Sequence, residues 1–167
     1  NDLTGAVLGV PNPAVAEIGA DGDLHGYKRL PVTQAQVTVI NFIDNVLGAE
    51  RLTLVGEAGY NYISGIDTGP GELRYGRDSV YGSGELTTPG VCEAGAVNPS
   101  ECNDDGFYTD NSWGYRLVAA LDYNGFAGIA LKPAFAFSHD VDGYGPNFNE
   151  GAMAANLGLT AVYNNKY

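Results

Sequence analysis

WGYRLVAALDY, residues Trp113 to Tyr123, decides how this chain folds. Trp113, Tyr115, Leu117, Ala119, Leu121 and Tyr123 fall on one side of a two-residue repeat, and Arg116, Ala120 and Asp122 on the other. A period of two belongs to a β-strand. The apolar side is also ordered along its length, with aromatic rings at both ends and aliphatic side chains between them. The inner face of a soluble sandwich has no need of that order. A strand crossing a bilayer does, because Trp and Tyr settle at the two interfaces while aliphatic groups meet the acyl chains. The length fits too, since a tilted spanning strand needs about 9–11 residues.

The same reading extends along the chain. In Leu52 to Tyr62, LTLVGEAGYNY, the even positions carry Leu52, Leu54, Ala58, Tyr60 and Tyr62, and the odd positions carry Thr53, Glu57 and Asn61. Phe126 to Phe137 sets Ile129, Leu131, Phe135 and Phe137 against Lys132, Ala134 and Ala136. Pro133 removes one ladder donor there, so it predicts a bulge or a weak pairing. Met153 to Tyr163 sets Met153, Leu157, Leu159 and Tyr163 against Asn156, Gly158 and Thr160. Val32 to Ile43 is less clean. Gln34, Gln36 and Thr38 oppose Ala35, Val37 and Val39, but Ile40 and Phe42 break the alternation.

Between these strands, short connections (Asp44 to Glu50, Tyr123 to Gly125) alternate with long ones (Gly65 to Ser112, Ser138 to Glu150). Outer-membrane barrels show this asymmetry, with short periplasmic turns and long extracellular loops. It predicts an all-β fold, an antiparallel transmembrane β-barrel, with residues 1–30 in a loop and 65–112 in a long extracellular loop bearing a disulfide. A strand at Leu3 to Val10 is a further option. For the turn after Tyr123, a three-residue Tyr123-Asn124-Gly125 connection keeps like faces together. It pairs Leu121 with Ala127 and Trp113 with Phe135. A one-residue slip would send every side chain to the wrong face.

About five strands cannot close a barrel, which needs at least about 8. Open edges in lipid leave unpaired backbone groups, each costing several kcal/mol. The expectation is therefore a segment of one larger barrel domain over 1–167, completed by the remaining strands of a longer chain. The start at Asn1 reads as a removed signal or an internal fragment, and the strand count favours the fragment.

Composition agrees. The chain has 167 residues, 24 of them Gly and 11 Tyr, and is 44% hydrophobic. It has no apolar run long enough for a spanning helix. The net charge of −12 makes nucleic acid an unsuitable partner. Many acidic residues, such as Asp104, Asp105, Asp140 and Asp142, fall in the expected loops. Cys92 and Cys102 lie close together in a Gly/Pro/Asn-rich stretch, which reads as a disulfide from an oxidising compartment.

Three stretches carry a family resemblance. RLPVTQAQVTVINFIDNVLGAERLTLVGEAGYNYISGI (Arg29 to Ile66), DGFYTDNSWGYRLVAALDYNGFAGIALKPAFAFSHDVDGYGP and FNEGAMAANLGLTAVYNNKY resemble a family of large proteobacterial outer-membrane β-barrels whose domain is labelled as of unknown function. VTQAQ, LTLVGEAGY, NSWGYR, the SHDV and GYGPNFNEG segments and the Cys pair carry most of it, over roughly residues 27–167 with 67–106 loosely matched. The resemblance implies barrels of several hundred residues in the outer membrane of Gram-negative bacteria. It implies gene neighbours too, namely a periplasmic lipid-carrier-like protein and an RND-type exporter. The implied function is a channel or transport component for hydrophobic or lipid-like molecules. It also implies that only the C-terminal part of such a protein is given, without its final strands.

Candidate site residues follow from the faces. Glu57, Arg116, Asp122 and Lys132 lie on the inward face as lumen-lining charges. In the register above Arg116 and Lys132 are cross-strand neighbours and need a counter-charge, which Glu57 supplies. They read as a solute filter or as a structural ion-pair network filling the interior. Tyr60, Tyr62, Trp113, Tyr115, Tyr123, Phe126, Phe135, Phe137 and Tyr163 form the expected aromatic girdle, in contact with outer-membrane lipid. Glu101, Asn103 and Asp105 partly resemble a calcium loop, but Ser112 stands where a bidentate Glu is needed. His25 and His139 fall in expected loops with no Ser or Cys nucleophile nearby in sequence, and no hydrolase, zinc or nucleotide motif occurs. The chain therefore reads as no enzyme and needs no cofactor beyond that weak calcium option. Two other readings stand beside the barrel. A secreted soluble β-sandwich, an adhesin or carbohydrate-binding module, explains the alternation and disulfide but not the aromatic strand ends. An envelope hydrolase built on a barrel would need a nucleophile facing one of only two His.

Overall fold

A computed structural model describes residues 28–68, 74–77, 81, 102–103, 105–126 and 128–163. Residues 1–27, with His25 and the optional strand at Leu3 to Val10, lie outside the described residues, as do Cys92, Glu101 and Asp104. The fold is all-β. Among the described residues five strands, β1 (Val32–Val46), β2 (Ala49–Ile63), β3 (Asn111–Phe126), β4 (Ile129–Asp142) and β5 (Met153–Tyr163), make one open sheet in the order β1-β2-β3-β4-β5. Neighbours in sequence are neighbours in the sheet, and β3/β4 and β4/β5 pair antiparallel. No helix among the described residues is long and apolar enough to cross a membrane, which says nothing of strands.

β1 turns into β2 through Leu47-Gly48, with φ of 52° and 76°. Positive φ at both central residues is the geometry whose twist matches flanking strands. Gly48 takes it freely, but Leu47 does not, because a Cβ crowds the left-handed region. The Tyr123 hydroxyl donates to the Leu47 carbonyl at 3.2 Å and steadies the turn.

The turn between β3 and β4 corrects the expected register. Phe126 pairs with Ile129, Leu117 with Phe137 and Ala119 with Phe135, so the chain reverses between Phe126 and Ile129 and not at Tyr123 to Gly125. Trp113 stands opposite Asp142 instead of Phe135. Phe126 belongs to β3 rather than opening β4, and a register irregularity between Tyr123 and Phe126 takes up the odd residue. Gly128, at φ 77°, supplies the left-handed position. Both registers keep like faces together, so alternation alone could not separate them. Charge does separate them: the observed one puts Lys132 beside Asp122 instead of beside Arg116. β4 also runs on to Asp142, so His139 is a strand residue and not a loop one. It pairs with Tyr115 and Met153, its ring edge-on to Tyr115 at 5.7 Å.

On β2 the burial of the two faces is inverted relative to a water-soluble sheet. On β2 the polar-face residues Thr53, Val55, Glu57 and Asn61 are half-buried or buried, while Leu54, Ala58, Tyr60 and Tyr62 are exposed. On β5, Leu157 is 83% exposed and Leu159 69%. On β1 and β5 both faces are exposed, so Val37 and Val39 are as open as Ile40 and Phe42.

The chain falls into two compact units. One gathers Asn1–Thr33, Asn61–Ser112 and Gly143–Glu150, and the other Gln34–Tyr60, Trp113–Asp142 and Gly151–Tyr167.

Candidate functional site

In the strand unit, one face of the sheet carries one ion pair for each of the first three strand pairings. Between β1 and β2, Arg51 Nε reaches Asp44 Oδ1 at 2.9 Å. Between β2 and β3, Arg116 Nη1 stands 4.0 Å from Glu57 Oε1. Between β3 and β4, Lys132 Nζ meets Asp122 Oδ1 at 2.9 Å. Thr38 on β1 donates to Glu57 Oε2 at 3.4 Å, which fixes the even positions of β1 on this same face. Sign alternates along the face, so each cation has its own carboxylate. The structure thus brings together Glu57 with Arg116 and Asp122 with Lys132, and separates Arg116 from Lys132, which sequence reasoning had made neighbours. Arg116 pairs across β4 with Ser138, and Lys132 across β5 with Thr160.

Arg51 and Asp44 were missed by sequence reasoning. Their signal was present: they lie on either side of a two-residue turn, where residues equidistant from it face each other. The expected connection Asp44 to Glu50 hid it by ending the strand too early. Ile40 and Phe42, which break the alternation of β1, share the face of Thr38 and Asp44. They are 57% and 60% exposed, and the Arg51 guanidinium lies 5.6 Å from the Phe42 ring centroid. The face therefore carries paired charges together with open apolar ground.

The aromatic residues divide into two sets. Tyr60 and Tyr62 lie near the Ile63 end of β2, and Trp113 and Tyr115 near the start of β3. Tyr123 pairs with Leu131, and Tyr163 with Ile129, at the opposite end. Phe135 and Phe137 do not cap β4 as expected. They sit mid-strand, opposite Ala119 and Leu117, because β4 is longer at its far end than alternation alone indicated. Of the Phe126 side chain nothing is described.

In the other unit, Thr109 ties down the 143–150 segment. Its amide donates to the Tyr144 carbonyl at 2.9 Å, and its hydroxyl accepts from the Tyr144 amide at 2.9 Å. Gly145 donates to the Phe148 carbonyl at 2.9 Å, and Gly143 to Glu150 Oε2 at 3.0 Å. Asn61 and Ser112 are each 1% exposed, and neither side-chain amide atom of Asn61 has a partner among the described residues. A buried unpaired amide costs about 1–3 kcal/mol.

A cavity of about 270 Å³ lies in this unit, lined by Gly76, Tyr81, Gly106, Tyr108, Tyr144, Gly145, Phe148 and Asn149. Tyr81 and Tyr144 meet edge to face at 6.0 Å, and the Tyr81 hydroxyl donates to Asn149 Oδ1 at 2.7 Å. Burial first, then the carboxylates of Asp105 and Glu150 and the neighbouring Tyr81 hydroxyl, push the Tyr144 hydroxyl above its ordinary value of 10.0. Of the expected calcium loop, Asn103 and Asp105 are brought together, Asn103 Nδ2 donating to the Asp105 carboxylate. The Arg77 guanidinium donates to both their backbone carbonyls. Among the described residues no three His, Cys, Asp or Glu side chains gather into a metal site. Cys102 is buried and is not a free thiol.

The family whose model matches residues 1–167 is described as a protein of unknown function (DUF1302). No curated protein and no solved structure matches the chain.

Proposed function

The chain belongs to the DUF1302 family of proteins of unknown function, and on that premise we propose that it forms part of the wall of an outer-membrane β-barrel that conducts hydrophobic or lipid-like molecules across a Gram-negative envelope. The role is one of passage, without catalysis. The observation that carries it is the difference between the two faces of β2: Leu54, Ala58, Tyr60 and Tyr62 lie open while Thr53, Glu57 and Asn61 on the other face are covered. A side chain such as Leu54, moved from water to hydrocarbon, stabilises by about 1.5–3 kcal/mol. Lipid supplies that burial.

The polar face then lines the lumen. Its ion pairs match Asp44 with Arg51, Glu57 with Arg116 and Asp122 with Lys132, and Ile40 and Phe42 offer contact to an apolar cargo. Connections of a few residues at 47–48 and 127–128 alternate with 64–110 and 143–152, as in barrels with short periplasmic turns and long outer loops. The free edges of β1 and β5 pair with remaining strands of a longer chain, since open edges are not tolerated in lipid. Cys92 and Cys102 form a disulfide in the long outer loop. A periplasmic lipid-carrier-like protein and an RND-type exporter, suggested by the family resemblance, are its proposed partners.

Reconstitution of the full-length protein into vesicles tests the function. Transfer of a fluorescent lipid or hydrophobic dye across the membrane, above that of protein-free vesicles, is expected. An inserted protein that moves neither would refute the transport role while leaving the barrel intact.

A further inference from the structure

We propose that the cavity bounded by Tyr81, Tyr108, Tyr144 and Phe148 is a binding site for an alkylated ammonium group, of the kind borne by choline. The wall is aromatic on several sides, and Tyr81 and Tyr144 stand at 83° to each other, so they form a corner rather than a stack. A ring's face is electron-rich and its edge electron-poor, and a cation within about 6 Å of a ring face is attracted to its quadrupole. A volume of about 270 Å³ admits a compact head group. It stands a little below the roughly 300 Å³ at which pockets for drug-sized ligands begin.

The charge of the surroundings selects the sign. Among the described residues no Lys or Arg lines the cavity. The charged groups felt at Tyr144 are the carboxylates of Asp105 and Glu150, and both oppose a second negative charge there. An anionic ligand is disfavoured and a cationic one favoured. The same loop cluster already holds a cation in this way, because the Arg77 guanidinium lies 4.8 Å from the Phe107 ring centroid and 5.7 Å from that of Tyr81. An alkylated ammonium suits the site better than a metal ion. It needs no oxygen ligands, and its methyl groups bury against rings that cannot coordinate.

Glycines let the backbone approach the rings closely. At Gly76 a Cβ would strike the Tyr108 ring, and at Gly106 the Tyr81 ring. Backbone therefore packs flat against these rings and holds them as walls. The cavity lies within one unit of the chain, so its occupancy is independent of what the strands turn toward lipid.

The test is calorimetric titration of the detergent-solubilised full-length protein with choline, and in parallel with the neutral carbon isostere of choline and with glucose. Choline is expected to bind saturably and the isostere to bind at least tenfold more weakly. Tyr144→Leu should weaken choline about tenfold, the value of one desolvated ring face. Tyr144→Phe should retain binding, which separates loss of the ring from loss of the fold. Glu150→Gln, which keeps an acceptor for the Gly143 amide, should weaken choline several-fold and leave the isostere unaffected. Absence of saturable choline binding would overturn the proposal. Equal binding of choline and its isostere would do so too, as would preferential binding of glucose.

Discussion

Replacing Leu157 by Arg probes the apolar face where it should matter most. Leu157 pairs across β4 with Phe135, and Phe135 with Ala119 on β3. Ala119 lies close to midway between Trp113 and Tyr123, the aromatic residues taken as interface markers. At about 3.4 Å per residue the ten steps between them span about 34 Å, or about 24 Å along the normal at a tilt of about 45°. That matches an apolar band of about 25 Å. Leu157, two strands away at about 4.8 Å each on a tilted sheet, then sits within about 10 Å of the midplane and inside the apolar band, where an Arg facing lipid costs about 1–4 kcal/mol. Asn156→Arg, one residue earlier on the opposite face, should cost less than about 1 kcal/mol. Urea unfolding of the full-length protein in lipid vesicles measures both. Equal costs for the two variants, or a larger one for Asn156→Arg, would refute the assignment of faces.

Three further outcomes are expected. Leu47→Asn relieves a left-handed leucine in the first turn and gives an Asn-Gly pair, so urea unfolding should show a gain of about 0.5–1 kcal/mol. In a double-mutant cycle of Asp122→Asn with Lys132→Gln, the side chains are 28% and 53% exposed, so solvent screening holds the coupling to about 0.2–1 kcal/mol. Asp122→Asn alone leaves Lys132 uncompensated and should shift conductance toward anions. Tyr144 holds its proton more tightly when folded, so its contribution is fully present below its ordinary value of 10.0 and is lost as pH rises through the raised one. Hydrogen exchange in 143–150 should therefore accelerate at alkaline pH in the wild type and less in Tyr144→Phe.

Alternation made the faces legible. Met153 to Tyr163 was bounded as the structure has it, and Leu52 to Tyr62 lies within β2. A period of two assigns each residue to a face but leaves open any slip by an even number of residues. That is why the β3/β4 turn was misplaced at Asn124-Gly125. This pair has the chemistry of a hairpin turn, yet it is part of β3, and the Asn124 amide donates to Glu50 Oε2 at 2.6 Å. Opposite charges, Asp122 against Lys132, carried the missing information. The ends of β1 and β4 were hidden because Asp44, Ser138 and His139 look like loop residues, although each faces a strand neighbour. The aromatic cavity could not be read at all. Tyr81, Tyr108 and Tyr144 are far apart in sequence and share no period.

The central claim is that odd-numbered residues of β5 meet hydrocarbon and even-numbered ones do not. A spin label placed in turn at each position from 153 to 163 of the full-length protein in lipid, with collision rates measured for oxygen and for a water-soluble relaxant, tests it directly. Oxygen accessibility should peak at 153, 155, 157, 159 and 161, with the water-soluble reagent highest at the positions between. Loss of this alternation, or uniform access of the water-soluble reagent along the strand, would contradict it.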